Sequence, residues 1–176
     1  MIHEEQINNK LLVLFILEKF EMPMSEPVLL EICSIDNPWI PYLLCKQIIL
    51  ELIDTGFAIG RLTEDGVPLL SLTSDGHNCL AHFYRDIPAS IREDITDFVK
   101  LNRMSYRKKQ DFVCSEYKND DGSYTVCLKI LEVTKPVLEV KIVVDNRQTA
   151  TEVCNGWGKN APTVFNAVHD VLMGDK

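Results

Sequence analysis

The side chains able to do chemistry are few and scattered. Histidines stand at 3, 77, 82 and 169. Two helical metal ligands need a shared face, and His77 and His82, five residues apart, do not have one. The six cysteines, at 33, 45, 79, 114, 127 and 154, are never closer than twelve residues, so neither a C-x-x-C redox motif nor a zinc-ligand cadence is present. Asn119-Asp120-Asp121-Gly122 lacks the calcium-loop spacing and reads as a turn. Gly156-Trp157-Gly158 follows no strand and lacks a third glycine, which excludes a nucleotide loop and leaves Trp157 as a core residue. No nucleophile–base arrangement is visible, so no catalytic residue, metal or cofactor is expected, and the chain does not read as an enzyme. Several cysteines sit inside apolar stretches. All six are expected to be buried, reduced thiols of a cytoplasmic protein, not a disulfide scaffold.

What remains is charge. The 176 residues carry 18 basic and 26 acidic side chains, a net charge of −8. Residues 1–102 hold 7 basic and 16 acidic groups, whereas residues 103–176 hold 11 and 10, and this asymmetry suggests two parts. The one basic run is Arg103-Met104-Ser105-Tyr106-Arg107-Lys108-Lys109. It has two readings: a solvated linker, or contact with a phosphate backbone.

The elements that position these groups follow from periodicity. A composition of 46% apolar and 25% charged residues suits a packed globule. The longest apolar run, Leu11 to Leu17, is far short of the roughly 20 residues of a membrane span. Glu4 and Glu5 stand where a signal peptide would be basic, so none is expected. A first helix is predicted over about 7–20. Its run Leu11–Leu17 is apolar around the whole circumference, and such a helix must be covered on every side. Burial under a later helix and the β part is one solution. A dimer interface through Leu12, Phe15 and Ile16, joined by Phe98 and Val99, is the other and the favoured one. A short helix carrying Val28, Leu29, Ile32 and Cys33 follows. A third helix starts between Pro38 and Pro41 and ends near Asp54, with Gly56 as its C′ residue. Leu44, Cys45, Ile48, Ile49, Leu52 and Ile53 form its inner face, and Tyr42, Lys46, Gln47, Leu50 and Glu51 its outer face. Strands at 57–62 and 69–72 flank the turn Thr63-Glu64-Asp65-Gly66. Thr73 or Ser74 caps a fourth helix and Ser90 a fifth. From Asp111 three strands, about 112–117, 124–133 and 137–144, form an antiparallel meander with a turn at Lys135-Pro136. Two helical stretches, about 147–157 and 162–173, cover one sheet face.

Helix, short helix, turn, longer helix, hairpin and helix is the order of a winged helix-turn-helix domain. Glu51-Leu52-Ile53-Asp54-Thr55-Gly56-Phe57-Ala58-Ile59 resembles the recognition-helix end and first wing strand of PadR-like and MarR-like regulators. Leu70-Ser71-Leu72-Thr73-Ser74-Asp75-Gly76-His77-Asn78-Cys79-Leu80 resembles their second wing strand running into a helix. The whole chain, including Cys154-Asn155-Gly156-Trp157-Gly158-Lys159-Asn160-Ala161-Pro162, resembles the domain-of-unknown-function family 4364. The resemblance implies an α+β fold: an N-terminal winged helix (1–86), a connecting helix and basic linker (87–109), and a small α+β domain (110–176) with a three-stranded antiparallel sheet and two helices. Fold analogy with those regulators implies DNA binding and transcriptional regulation; with the cysteine, apolar-run and first-helix readings above, the expectation is a cytoplasmic homodimer on double-stranded DNA, with no membrane attachment and no effector named by the sequence. Trp39, Tyr42, Lys46 and Gln47 would meet the groove, and Arg61, Arg103, Arg107, Lys108 and Lys109 would hold phosphates. The alternative is an acidic winged-helix protein-interaction module that does not bind DNA.

Overall fold

A computed structural model describes residues 2–63, 66–133 and 135–174. Its architecture is α+β, with six α-helices and two three-stranded antiparallel sheets among the described residues. The chain divides into two compact units, Met1–Arg107 and Lys108–Lys176.

The first unit is organised around α1 (Ile2–Phe20), which begins earlier than periodicity alone predicts. Every residue from Leu11 to Leu17 is buried, and so is Phe20. The cover comes from this chain. α1 packs on α3 (Tyr42–Asp54), on strand β3 (Pro68–Leu72) and on α4 (Ser74–Phe83). Tyr84 meets the Phe15 ring edge-on at 5.9 Å, and Tyr106 meets Phe20 at 5.8 Å. This corrects the expected dimer surface. Leu12, Phe15, Ile16 and Val99 are core residues, and Phe98 is half-buried between the rings of Trp39 and Tyr106. Turning a side chain such as Phe15 outward would forfeit about 1.5–3 kcal/mol of burial. An apolar helix needs complete cover, and here no second copy is required to supply it.

After α1, the two-residue strand β1 (Met24–Ser25) pairs with β3, and α2 (Glu26–Leu30) runs on into a π-helical turn, Glu31–Asp36. Ile32 and Cys33 point inward from that turn. Pro41 stands at the N-cap of α3, one residue before its first turn. At the far end Gly56 (φ 77°) donates to the Ile53 carbonyl and Phe57 to the Leu52 carbonyl. These are the paired bonds of a Schellman cap, which needs the left-handed backbone that glycine adopts freely. The expected inner face holds at Cys45, Ile48, Ile49 and Leu52, but Leu44 is only half-buried and Ile53 is exposed near the helix end. Strand β2 (Ala58–Leu62) pairs with β3, from Ala58 opposite Leu72 to Leu62 opposite Pro68, giving the order β1-β3-β2. Glu64 and Asp65 of the expected turn lie outside the described residues.

Thr73, rather than Ser74, caps α4 and fastens it to the end of α3. Its Oγ1 accepts from the Gly76 amide (3.1 Å) and donates to the Gly56 carbonyl (2.7 Å). Gly76 lies so close to the Phe57 carbonyl that a Cβ there would sit 2.1 Å from its oxygen. The threonine and glycine of this motif therefore have a packing explanation. α5 (Ala89–Asp111) begins one residue before Ser90, which was expected to cap it. The basic run Arg103–Lys109 belongs to this helix, not to a linker. Tyr106 is buried and donates to the Asp36 carboxylate.

In the second unit β4 (Phe112–Lys118), β5 (Tyr124–Glu132) and β6 (Lys135–Val144) form the expected meander, in the order β4-β5-β6. Lys135 and Pro136 belong to β6 instead of forming the turn. Alternation sends Val126, Leu128 and Ile130 to one face, where α6 (Arg147–Met173) covers them. Leu138, Val140 and Val144 border that core half-buried, whereas Ile142 is exposed. The two expected helices are one. α6 runs unbroken through Pro162, because Ala150, Trp157 and Ala161 bury one continuous stripe on the sheet and this packing outweighs the proline's missing N–H. The Trp157 indole donates to the Lys129 carbonyl (3.0 Å), so the expected core tryptophan is also a hydrogen-bond anchor.

The cysteines need a further correction. Cys114 of β4 and Cys154 of α6 form a disulfide, with Cα atoms 5.4 Å apart. Their separation of 40 residues carries no motif, so only the docking of helix on sheet brings them together. Cys33, Cys45, Cys79 and Cys127 are free thiols. Cys33 and Cys45 share a hydrogen bond inside the first core; it raises the Cys33 thiol, with burial adding to the effect, and lowers that of Cys45.

Candidate nucleic-acid interface

The expected groove-facing residues divide in two. Tyr42, Lys46 and Gln47 are all exposed on α3, and Tyr42 and Lys46, four residues apart, share a helix face. Trp39 does not join them. It precedes α3, is half-buried, and packs edge-on against Phe98 at 5.6 Å. Its role is to hold the approach to α3 against α5. The Asp36–Tyr106 hydrogen bond fixes the same approach.

Charge runs along α3 in one direction. The first turn has no acidic residue, and Lys46 and Gln47 follow it, while Glu51 and Asp54 sit in the second half. The helix N-terminus carries a partial positive charge that adds to the cationic end. Two of the polar side chains are engaged within the chain. Lys46 Nζ lies 3.7 Å from Glu26 Oε1, and Gln47 donates to Glu51 Oε1 at 2.8 Å. The Lys10 ammonium also reaches Glu51, at 2.7 Å. Lys10 first, and Gln47 second, hold the Glu51 carboxyl below the usual carboxylate range. Exposed ties of this kind are weak, so a phosphate or a base edge can displace them.

The outer side of α3 is not wholly polar. Leu43 is 80% exposed and Leu50 53% exposed. Exposed Ile59 and Leu62 lie on β2 beside Arg61, which is itself exposed. Of the basic run, Arg103 is bound to Glu21 (3.0 Å), and Arg107, Lys108 and Lys109 are exposed on the last turns of α5. Arg103 and Arg107 flank Tyr106, so they lie on the helix that abuts the entry to α3.

The pairing of Gln47 with Glu51 was readable from its i, i+4 spacing. The Lys46–Glu26, Lys10–Glu51 and Arg103–Glu21 pairs were not, since each joins separate elements. A further cleft, of about 410 Å³, opens between α1, β3 and α4 and is lined by Glu18, Glu21, Ser71 and His77. Within it His77 Nδ1 lies 3.5 Å from Glu18. No sequence motif marked this cleft. Among the described residues, no helix is long and apolar enough to cross a membrane.

No curated protein and no solved structure matches this chain. The model of the family described as Domain of unknown function (DUF4364) matches residues 9–172, which takes in both units from α1 to the last turn of α6, and the chain belongs to that family.

Proposed function

We propose that this protein is a DNA-binding regulator of winged-helix type, in which the N-terminal half of α3 enters the major groove and the β2–β3 hairpin lies alongside as the wing. The observation that carries the reading is the exposed N-terminal face of α3. It presents Tyr42, Lys46 and Gln47 from a rigid helix, with no acid in its first turn. Recognition helices meet base edges with their N-terminal side chains. Gln47 suits adenine and Lys46 suits guanine or a phosphate. Arg61, Arg103, Arg107, Lys108 and Lys109 supply backbone contacts. Tyr42 packs against sugar or base, and Trp39 acts behind the interface by fixing the helix approach.

The acidic surroundings set the stoichiometry of this proposal. Residues 1–102 carry far more acid than base, and a specific complex makes about 6–10 phosphate contacts. Two copies on a short palindrome double the available cations, so the regulator acts as a homodimer, paired through a surface other than α1. Light scattering is expected to give twice the chain mass of 20.1 kDa; a monomer on the duplex would remove this part of the proposal.

The direct experiment is charge reversal. Fluorescence anisotropy on duplex DNA is expected to show at least about a tenfold loss of affinity for Lys46→Glu combined with Arg61→Glu. Unchanged affinity would place the contact elsewhere. The second reading is a protein-interaction module, and exposed Leu43 and Leu50 on the same helix favour it. On that reading, duplex binding is absent even at low salt, and Leu43→Glu abolishes partner binding while leaving the fold intact.

A further inference from the structure

The geometry points to the Cys114–Cys154 pair as a reversible thiol–disulfide clamp that sets whether the distal half of α6 is held on the sheet. This inference does not depend on the DNA reading, because everything it needs lies in the second unit. The centre of α6 is built from residues that do not favour helix: Asn155, Gly156, Gly158, Asn160 and Pro162 fall within eight positions. Glycine loses the most backbone freedom in a helix, and proline removes one intrahelical hydrogen bond. The segment is therefore helical because it is anchored.

The anchors can be named. The disulfide at Cys154 enters the segment, the Trp157 indole binds the Lys129 carbonyl, and Ala161 is fully buried. The other ties between α6 and β4 are weak. Thr151 donates to Glu116 at 3.2 Å, and Arg147 lies 3.6 Å from the same carboxylate, both at exposed positions. Past Pro162 the cover thins: Val164 and Phe165 still pack half-buried against the second core, and Val171, Leu172 and Met173 are exposed at the helix end. Order at Val171–Met173 is thus passed on from the part of the helix that is held on the sheet. Only one of the three anchors is a covalent bond that chemistry can open.

That bond is also reachable. Cys114 and Cys154 are both half-buried, and β4 is an edge strand. Of the free thiols, Cys33, Cys45 and Cys127 are buried. A dithiol reductant, small or protein-borne, attacks one sulfur of the pair as a thiolate. The S–S bond breaks, a mixed disulfide forms, and the leaving sulfur takes a proton. The second thiol of the reductant then attacks the mixed disulfide, releasing the other cysteine as a thiol. Two electrons and two protons pass to the pair, and the reductant leaves as a disulfide. Oxidation by a disulfide reagent is the reverse sequence.

The 176-residue chain tests this directly. Purified in air without reductant and alkylated after denaturation, it is expected to take up label at four cysteines, and at six after prior reduction. Labelling of all six without reduction would overturn the clamp. Native treatment with dithiothreitol is expected to speed amide exchange from Asn155 to Met173 by about tenfold, with Val126 to Ile130 unchanged. Unchanged exchange in α6 overturns the proposal. So does an equal loss of protection in β5, which would make the bond a staple of the whole unit. Oxidised dithiothreitol should restore both the four-label state and the slow exchange; failure to restore them contradicts reversibility. The C114S/C154S variant should match the reduced wild type, and a mismatch counts against the proposal. If that variant does not fold, native reduction of the wild-type chain still decides the matter.

Discussion

The two units solve the same problem by different means. The first wraps helices and a small sheet around α1, so that its core closes on itself and Leu11–Leu17 is out of water without any cross-link. The second has only two layers, one sheet face and one helix. Its aliphatic strand β6 stays half-buried or exposed throughout, and a disulfide and an indole hydrogen bond supplement the packing. A core with a central helix holds through apolar area alone. A two-layer core of about 70 residues is close to the size at which covalent staples become useful.

Glycines expose the contrast most sharply. Gly76 in the first unit is demanded by packing, since a Cβ would collide with the Phe57 backbone oxygen. Gly158 in the second unit has nothing within 4 Å of the place a Cβ would take. Gly76→Ala is therefore expected to cost about 2–4 kcal/mol, seen as lost exchange protection across α4 and the end of α3. A cost under about 0.5 kcal/mol, within the range of ordinary surface substitutions, would show that the close approach relaxes freely. Trp157→Phe comes next, at about 1–3 kcal/mol, because the Lys129 carbonyl loses its donor and a smaller ring fills the site. Its effect should be confined to the second unit, and denaturation followed separately in each unit checks that. Gly158→Ala reverses the sign, with an expected gain of about 0.5–1 kcal/mol in α6. Loss of stability there would mean that the helix centre needs glycine for a reason that packing does not show.

A smaller effect belongs to α3. Lys10 and Gln47 hold the Glu51 carboxyl below its ordinary range. A carboxylate lowered in the folded state adds its stabilisation above the unfolded pKa and loses it as pH falls through the folded one. Carboxyl NMR is expected to place the Glu51 midpoint below that of a free glutamate, with Gln47 released on the acid side. A midpoint at or above the free value would contradict the Lys10 pairing.

The order of elements was readable because periodicity and capping chemistry act locally. The α3 cap at Gly56, the α4 cap at Thr73 and the alternation through β5 all follow from near neighbours in the chain. The corrections share a different cause, which is contact between distant segments. The all-round cover of α1, the passage of α6 through Pro162, the continuation of α5 through the basic run and the Cys114–Cys154 bond are each decided by what packs against the segment. The candidate interface divides along the same line. Tyr42, Lys46 and Gln47 are exposed on α3 as expected, whereas Trp39 is claimed by Phe98, and Lys46 meets a glutamate from another helix.

The central claim is that the cationic end of α3 is a nucleic-acid face despite the acid around it. Its most direct measurement is the salt dependence of binding to a mixed-sequence duplex, from about 50 to 200 mM monovalent salt. The account predicts binding at the low end and a linear fall of log affinity with log salt concentration, with a slope of several units that becomes shallower by about one for each lysine or arginine reversed. No binding at the low end, or a slope indistinguishable from zero, would contradict it.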